Sequence, residues 1–263
     1  MTNFNGASTP ISPLGLAQST KLLGVGAAEL WTVLSVETHG FGFLPDRRPA
    51  ILFERHIFSK QTGGRFDSNP AISSTTPGGY LGGALEYDRL AQAIALDAHA
   101  ALMSASWGIG QVMGFNFAAA GFATVEAMVA AMVQSEDSQL QGMAAFVKSK
   151  ALNRSLVAHD WASFARGYNG PAFADNHYDT KLAGFFQKYS VGPLPDIRVR
   201  QAQAMLTFMN IDSGGVDGVN GKRTRSGVVT FRENNGLGSS DVIDDALITA
   251  LSARLAKAAA AKT

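Results

Sequence analysis

Cysteine is absent from this chain. Disulfides, thiolate catalysis and cysteine-ligated metal are thereby excluded, and the fold is indifferent to redox compartment. Uninterrupted apolar runs long enough to span a membrane are also missing, and the N-terminus MTNFNGASTPISPLG has neither the basic start nor the apolar centre of a secretory signal. Synthesis in the cytoplasm is therefore expected. Charge of one sign is not in excess either: 22 Lys and Arg face 21 Asp and Glu, a formal net charge of +1. That balance gives no general electrostatic case for nucleic acid as a partner. The five histidines, His39, His56, His99, His159 and His177, form no His-x-x-x-His pair, so neither a metal site nor any other cofactor is expected. No Gly-x-Ser-x-Gly elbow supports serine hydrolase chemistry. Gly108, Gly110 and Gly114 miss the dinucleotide fingerprint by one residue, and no Gly-Lys-Ser/Thr follows; a nucleotide site is rejected.

What is present centres on Ala27 to His56. Leu30, Val33, Leu34 and Glu37 fall at helical spacings, which puts Glu37 in the last turn of a helix, on or beside its buried stripe. The negative end of the backbone dipole and apolar neighbours both disfavour ionisation there and raise its pKa, as a general acid requires. An end-of-helix carboxylate turned to solvent is the plain alternative. Thr38-His39-Gly40 breaks the helix, and the apolar run Ala50 to Phe53 then delivers a second carboxylate, Glu54, followed by Arg55 and His56. On a continuing strand, Glu54 and His56 would share a face. Two carboxylates from one helix-to-strand unit suggest glycoside hydrolysis, in which one acid protonates the leaving oxygen and the other acts on water or on the sugar.

Along the chain, residues 1–11 read as a loose polar arm, and Leu14 to Leu23 as a short helix closed by Gly24. The segment from Ser59 to Gly83 is rich in Gly, Ser, Thr and Pro with little periodicity, and reads as either a cleft wall or a mobile insertion. Helical patterning resumes at Tyr87 and ends in SWGIGQVMGFN, after which helices are expected from Val125 to Met132, Ser135 to Ser149, Asp160 to Arg166 and Asn176 to Tyr189. Trp107, Gln111, Tyr168 and Asn169 fall in or next to turns, where aromatic faces and amides suit a sugar ligand. Pro193 and Pro195 with Gly192 mark a boundary, giving residues 1–190, a linker at 191–196 and a small unit at 197–263. That unit reads as helices from Ile197 to Met209, Thr224 to Asn234 and Val242 to Lys257, the last capped by Asp241.

Three segments in order, SVETHGFGFLPDRRPAILFERHIF, SASWGIGQVMGFNFAAAGF and FARGYNGPAFADNHYDTKL, together resemble the N-acetylmuramidase domain of bacteriophage endolysins, within the lysozyme and lytic-transglycosylase superfamily. The resemblance covers about residues 14–190. It implies that Glu37 is the general acid and Glu54 the second essential carboxylate, with Ser106, Gln111, Tyr168 and Asn169 lining the cleft; His56 joins the substrate-binding set only by its adjacency to Glu54. VRQAQAMLTFMNI and VDGVNGKRTRSGVVTFRENNGL are similar to the three-helix peptidoglycan-binding domain of wall hydrolases, which carries Asp217, Gly218, Thr224, Arg225 and Phe231 into the binding module. A turn and an N-cap also explain Asp217, Gly218, Gly221 and Thr224, and Arg232 stands where that module has Gln.

The implied fold is mainly α, a lysozyme-like helical catalytic domain with a small β/loop element plus a three-helix bundle. The implied activity is cleavage of the β-1,4 bond between N-acetylmuramic acid and N-acetylglucosamine by a monomer that reaches the wall after the host membrane is breached. A lytic transglycosylase and a non-catalytic peptidoglycan anchor remain as alternatives. Arg254, Lys257 and Lys262 on the Ala-rich tail allow weak contact with an anionic membrane, or simply complement the end of a helix.

Overall fold

The computed structural model describes residues 3–38 and 40–260; His39 and Lys262 lie outside the described residues. Helix α1 (Pro13–Leu23) starts on the Ser12 hydroxyl, which accepts the Gly15 N–H, and ends in a left-handed Gly24. Helix α2 (Ala27–Thr38) buries Leu30, Trp31, Val33 and Leu34 and carries Glu37 at its end. Strand β1 (Ile51–Phe53) and α3 (Arg55–Thr62) follow, then a long irregular segment, α4 (Glu86–Leu96) and α5 (Ala98–Met103). Strands β2 (Ala105–Trp107) and β3 (Val112–Met113) complete a three-stranded antiparallel sheet in the order β1-β2-β3. Helices α6 (Val125–Met132), α7 (Glu136–Ser149), α8 (Asn153–Val157), α9 (Trp161–Asn169) and α10 (Tyr178–Val191) complete the larger part.

This is the mainly α, lysozyme-like architecture, with a small sheet, that the family resemblance implies. Its core runs from Ile11 to Tyr189 and takes in Leu34, Phe53, Phe58, Trp107, Met143 and Phe164. Helix α2 is pinned to α10 by a hydrogen bond between the Ser35 and Tyr189 hydroxyls at 2.8 Å. After Gly192-Pro193-Leu194-Pro195 come α11 (Ile197–Phe208), α12 (Lys222–Asn234) and α13 (Asp245–Ala260), which enclose a second, smaller core of Ala202, Met205, Leu206, Val228, Phe231, Leu247 and Leu251.

Several local expectations are corrected. Residues 3–11 are not loose: Ser8 and Thr9 bond to Val133 and Gln134 by their backbones, Ile11 is fully buried, and the Phe4 ring packs on Tyr87 and Trp107. The strand stops at Phe53, and Glu54 is the N-cap residue of α3. Glu54 and His56 therefore do not alternate on a strand; they meet around the first turn of a helix. Helix α9 continues through Tyr168 and Asn169, so both leave a helix end and not a turn. Trp107 is wholly buried, with its indole N–H bonded to the Leu102 carbonyl, and is core. The last helix begins at Asp245, and it is Asp244, in place of Asp241, that accepts the Leu247 N–H at 2.8 Å.

Candidate active site

Glu37 owes its position to the apolar stripe of α2, which carries the helix into the core up to Ser35 and leaves its final turn partly buried. Thr38 fixes that end by donating its hydroxyl to the Ile109 carbonyl at 3.0 Å. Part of Glu37 stays exposed, while the surrounding protein desolvates its carboxyl. Burial is the main cause that raises its pKa to about 7, against a lowering contribution from Asn169, whose Nδ2 donates to Oε1 at 2.9 Å. Tyr168 and Tyr178 stand near enough that the charge of Glu37 acts on them; burial first and that charge second push both phenols above their ordinary value. The Tyr168 hydroxyl donates to the Gly110 carbonyl.

The turn from β2 to β3 thus lies against both sides of this group, and its glycines have a packing reason. Gly108 adopts φ 68°, and a Cβ there would lie 2.5 Å from the Gln139 side chain. At Gly110 a Cβ would be 2.5 Å from Met143. The Gly-x-Gly spacing that failed as a nucleotide motif is what lets α7 pack directly under the turn. Gln111, in the left-handed region at φ 47°, spans this turn: its Nε2 donates to Ala50 and Gly108 carbonyls, and its Oε1 accepts the Ser106 hydroxyl at 2.8 Å. Ser106 and Gln111 hold each other and the turn.

Glu54 forms a second group. Its backbone N–H bonds to the Ser104 carbonyl at 2.8 Å, so the sheet edge sets its place. Its side chain is 16 % exposed and lies 3.1 Å from His56 Nδ1, at an angle unsuited to a hydrogen bond. The Tyr80 hydroxyl donates to both carboxylate oxygens of Glu54, at 2.8 and 3.0 Å. Burial, then the bond to Glu54 and its charge, push the Tyr80 phenol up to about 12. Tyr80 comes from the Gly/Pro-rich segment, which Arg55 gathers in by donating to the carbonyls of Pro70, Thr76 and Pro77. Sequence reading missed Tyr80 and Tyr178; the one available signal for Tyr80 was a lone aromatic inside GGYLGG.

In the small unit, Gln203 is buried and organises the Asp-Gly turn. Its Nε2 donates to Asp217 Oδ1 at 2.8 Å and Thr224 Oγ1 at 3.1 Å, and its Oε1 accepts the N–H groups of Asp217 and Gly218. Phe231 belongs to the core, and Arg225 is exposed and donates to the Asn220 carbonyl at 2.6 Å. Among the described residues no three His, Asp or Glu side chains converge as a metal site would.

An acid that holds its proton near neutrality at a helix end, facing an amide and two phenols in a lysozyme-like fold, defines a glycoside hydrolase. The family model for N-acetylmuramidase matches residues 26–190. A crystal structure of Burkholderia AP3 phage endolysin matches at 42% identity, over 68% of this chain and 70% of that one, with a TM-score of 0.63. No curated protein matches the chain. The chain belongs to the N-acetylmuramidase family.

Proposed function

We propose that this muramidase is the lysis enzyme of a phage or prophage, with Glu37 as general acid and Glu54 as the second carboxylate. The observation that carries the assignment is Glu37 itself, with a pKa of about 7 and one oxygen held by Asn169. At neutral pH a large share of the carboxyl still has its proton, which it gives to the glycosidic oxygen between N-acetylmuramic acid and N-acetylglucosamine. Glu54, kept in one orientation by the two-pronged Tyr80 contact, acts as the anion that activates water or stabilises the oxocarbenium-like transition state. Tyr168, Asn169, Gln111 and Ser106 shape the cleft around the sugar, and His56 flanks Glu54.

The C-terminal helices hold the enzyme to peptidoglycan. Their candidate contact surface is a groove of about 540 Å³ lined by Arg47, Phe208, Asn234, Asn235, Arg254 and Lys257, which offers amides, cations and a ring. None of its lining residues surrounds Glu37 or Glu54. Its cations give Arg254 and Lys257 a use at the wall in place of a membrane. Asp217, Gly218 and Thr224 form the turn that Gln203 holds together, and Arg225 supplies a further exposed cation.

Mass spectrometry of fragments released from purified peptidoglycan tests the reaction. Reducing muramic-acid ends are expected from the parent, and Glu37→Gln is expected to release them roughly two to four decades more slowly. Anhydro-muramic ends would replace hydrolysis by a transglycosylase reaction. Parent-like rates from Glu37→Gln would remove Glu37 as the acid.

A further inference from the structure

Arg200 and Glu136 form an ion pair with side chains only 1 % and 0 % exposed. It joins α11, the first helix after the proline-rich connection, to the first turn of α7. The contact is two-pronged: Nη1 meets Oε2 at 2.6 Å and Nη2 meets Oε1 at 2.7 Å. The remaining capacity of the pair is spent on the chain that leaves the Glu37 helix and on the N-terminal arm at Ile11. Arg200 Nε donates to the Gly40 carbonyl at 3.0 Å, and Nη2 donates to the same oxygen. Glu136 Oε1 accepts the Gly42 N–H at 2.8 Å, and Oε2 accepts the Ile11 N–H at 2.9 Å.

Residues 40–42 are thus gripped from both halves of one ion pair. Gly40 in turn closes the end of α2, its N–H bonding to the Leu34 carbonyl at 3.0 Å. The surrounding contact is extensive. Phe208 packs against Phe41 and Phe43, the Arg47 guanidinium lies 5.8 Å from the Phe208 ring centre, and Gln201 Nε2 donates to the Ile11 carbonyl at 2.9 Å. A buried pair of this kind tolerates one arrangement only, because moving either group leaves a charge without a partner.

We propose that Arg200 is a positioning residue for Glu37, so that the C-terminal helices are part of the catalytic unit as well as a wall-binding module. Arg200 touches no substrate. It fixes Gly40, and through Gly40 the last turn of α2, so that Glu37 meets Asn169 and the glycosidic oxygen in register. The inference rests on the muramidase reading of Glu37. It separates this chain from an arrangement in which a wall anchor hangs on a flexible tether and can be exchanged without effect on chemistry.

The test uses the full chain and a soluble, uncrosslinked glycan oligomer of alternating N-acetylglucosamine and N-acetylmuramic acid, which removes wall binding from the readout. Arg200→Met combined with Glu136→Gln discharges both partners and leaves no orphaned ion. The expected result is a kcat lower by roughly ten- to a hundredfold, since a misplacement of about 1 Å is that costly. KM and pelleting with insoluble wall should stay within about twofold, as binding energy common to ground and transition states is untouched. The pH at which the rate falls should also move. Among the described residues, Tyr168 from α9 and Tyr178 from α10 feel the charge of Glu37, and neither is altered by the substitutions. Rates are divided by the folded fraction measured by circular dichroism at each assay pH, so a defect that merely lowers that fraction leaves both kcat and the midpoint in place.

Parent kcat with the parent pH midpoint in the paired variant overturns the proposal, as does a uniform loss without a shift. Should the paired variant fail to fold, Arg200→Lys carries the same readout, because it keeps the charge while giving up the fork. A parent enzyme that releases no reducing ends from the oligomer would instead overturn the muramidase reading on which the proposal stands.

Discussion

Asn169 Nδ2 reaches from the end of α9 to Oε1 of Glu37 at the end of α2, at 2.9 Å. The bond opposes the main influence on that carboxyl. Burial favours the neutral acid, a donated hydrogen bond favours the anion, and the balance leaves the pKa at about 7. An acid poised there can hold its proton until the leaving oxygen needs it and still exist as the anion afterwards.

The first prediction follows from that balance. With Glu37 as the proposed general acid, cleavage needs its protonated form, so the rate should fall as pH rises through about 7. Asn169→Ala removes the donor that favours the anion, so the pKa of Glu37 rises and the falling limb moves to higher pH. A shift of about one unit corresponds to about 1.4 kcal/mol, the scale of one hydrogen bond to a charged group. Rate–pH profiles of parent and variant decide it; a limb that moves to lower pH contradicts the assignment.

Stability should fall with rising pH over the same range, and Glu37→Gln should raise it while lowering activity. The folded pKa of Glu37 lies above its ordinary value of 4.5, so the stability it contributes is complete below about 4.5 and is lost as pH rises to about 7. Glu37→Gln has no charge to bury. It should therefore match the parent near pH 4 and exceed it at pH 8, by an amount on the order of 2–3 kcal/mol. Thermal midpoints measured at the two pH values check this, and equal midpoints at pH 8 would show that Glu37 is not strained by ionisation.

Tyr80→Phe deletes the hydroxyl that donates to both oxygens of Glu54 and leaves the ring in place. Hydrogen bonds to charged groups contribute about 1.5–3 kcal/mol, so a loss of roughly tenfold or more in kcat is expected, with little change in melting temperature. Rate with a soluble glycan oligomer is the measurement. Unchanged kcat would make the contact incidental to catalysis.

How much of this was legible beforehand depended on the range of the interaction. Helices α1, α2, α6 and α7 followed from apolar patterning and local signals such as the stop at Gly24 and the start at Ser135, which are written within a few residues of the helix they bound. Glu37 stood out because a carboxylate at the end of an apolar helix is a local conflict. Glu54 was found, but its setting was misread. A three-residue strand followed at once by a helix has too few residues for either period to declare itself. Tyr80 reaches Glu54 across 26 positions and Arg200 reaches Gly40 across 160. No spacing rule joins such partners, since only the folded chain sets them together. The same holds for residues 3–11, whose polar composition conceals a buried Ile11 and a backbone bridge from Thr9 to Ser135.

The last prediction concerns the support beneath Glu54. Glu86 and Arg89 form a buried ion pair at 2.8 Å, one turn apart on α4, and between them they secure the end of β1 and the segment carrying Tyr80. Glu86 accepts the N–H groups of Leu81, Gly82 and Phe53, while Arg89 donates to the carbonyls of Phe53 and Ala71. Burial alone raises the pKa of Glu86, yet the donors from Gly82, Leu81, Arg89 and Phe53 outweigh it and hold the carboxyl below its ordinary value. The stability this gives is therefore present above the unfolded pKa and lost as pH falls through the folded one. Glu86→Gln at neutral pH leaves Arg89 buried without its counter-ion, a change that costs on the order of 3–5 kcal/mol. The variant should also lose kcat at temperatures where it is still folded, because the loosened segment no longer presents Tyr80 to Glu54. Adding Tyr80→Phe to Glu86→Gln should then cost less than Tyr80→Phe costs alone, since both act on the same carboxylate. A double-mutant cycle in kcat measures that coupling, and fully additive losses would separate the buried pair from the orientation of Glu54.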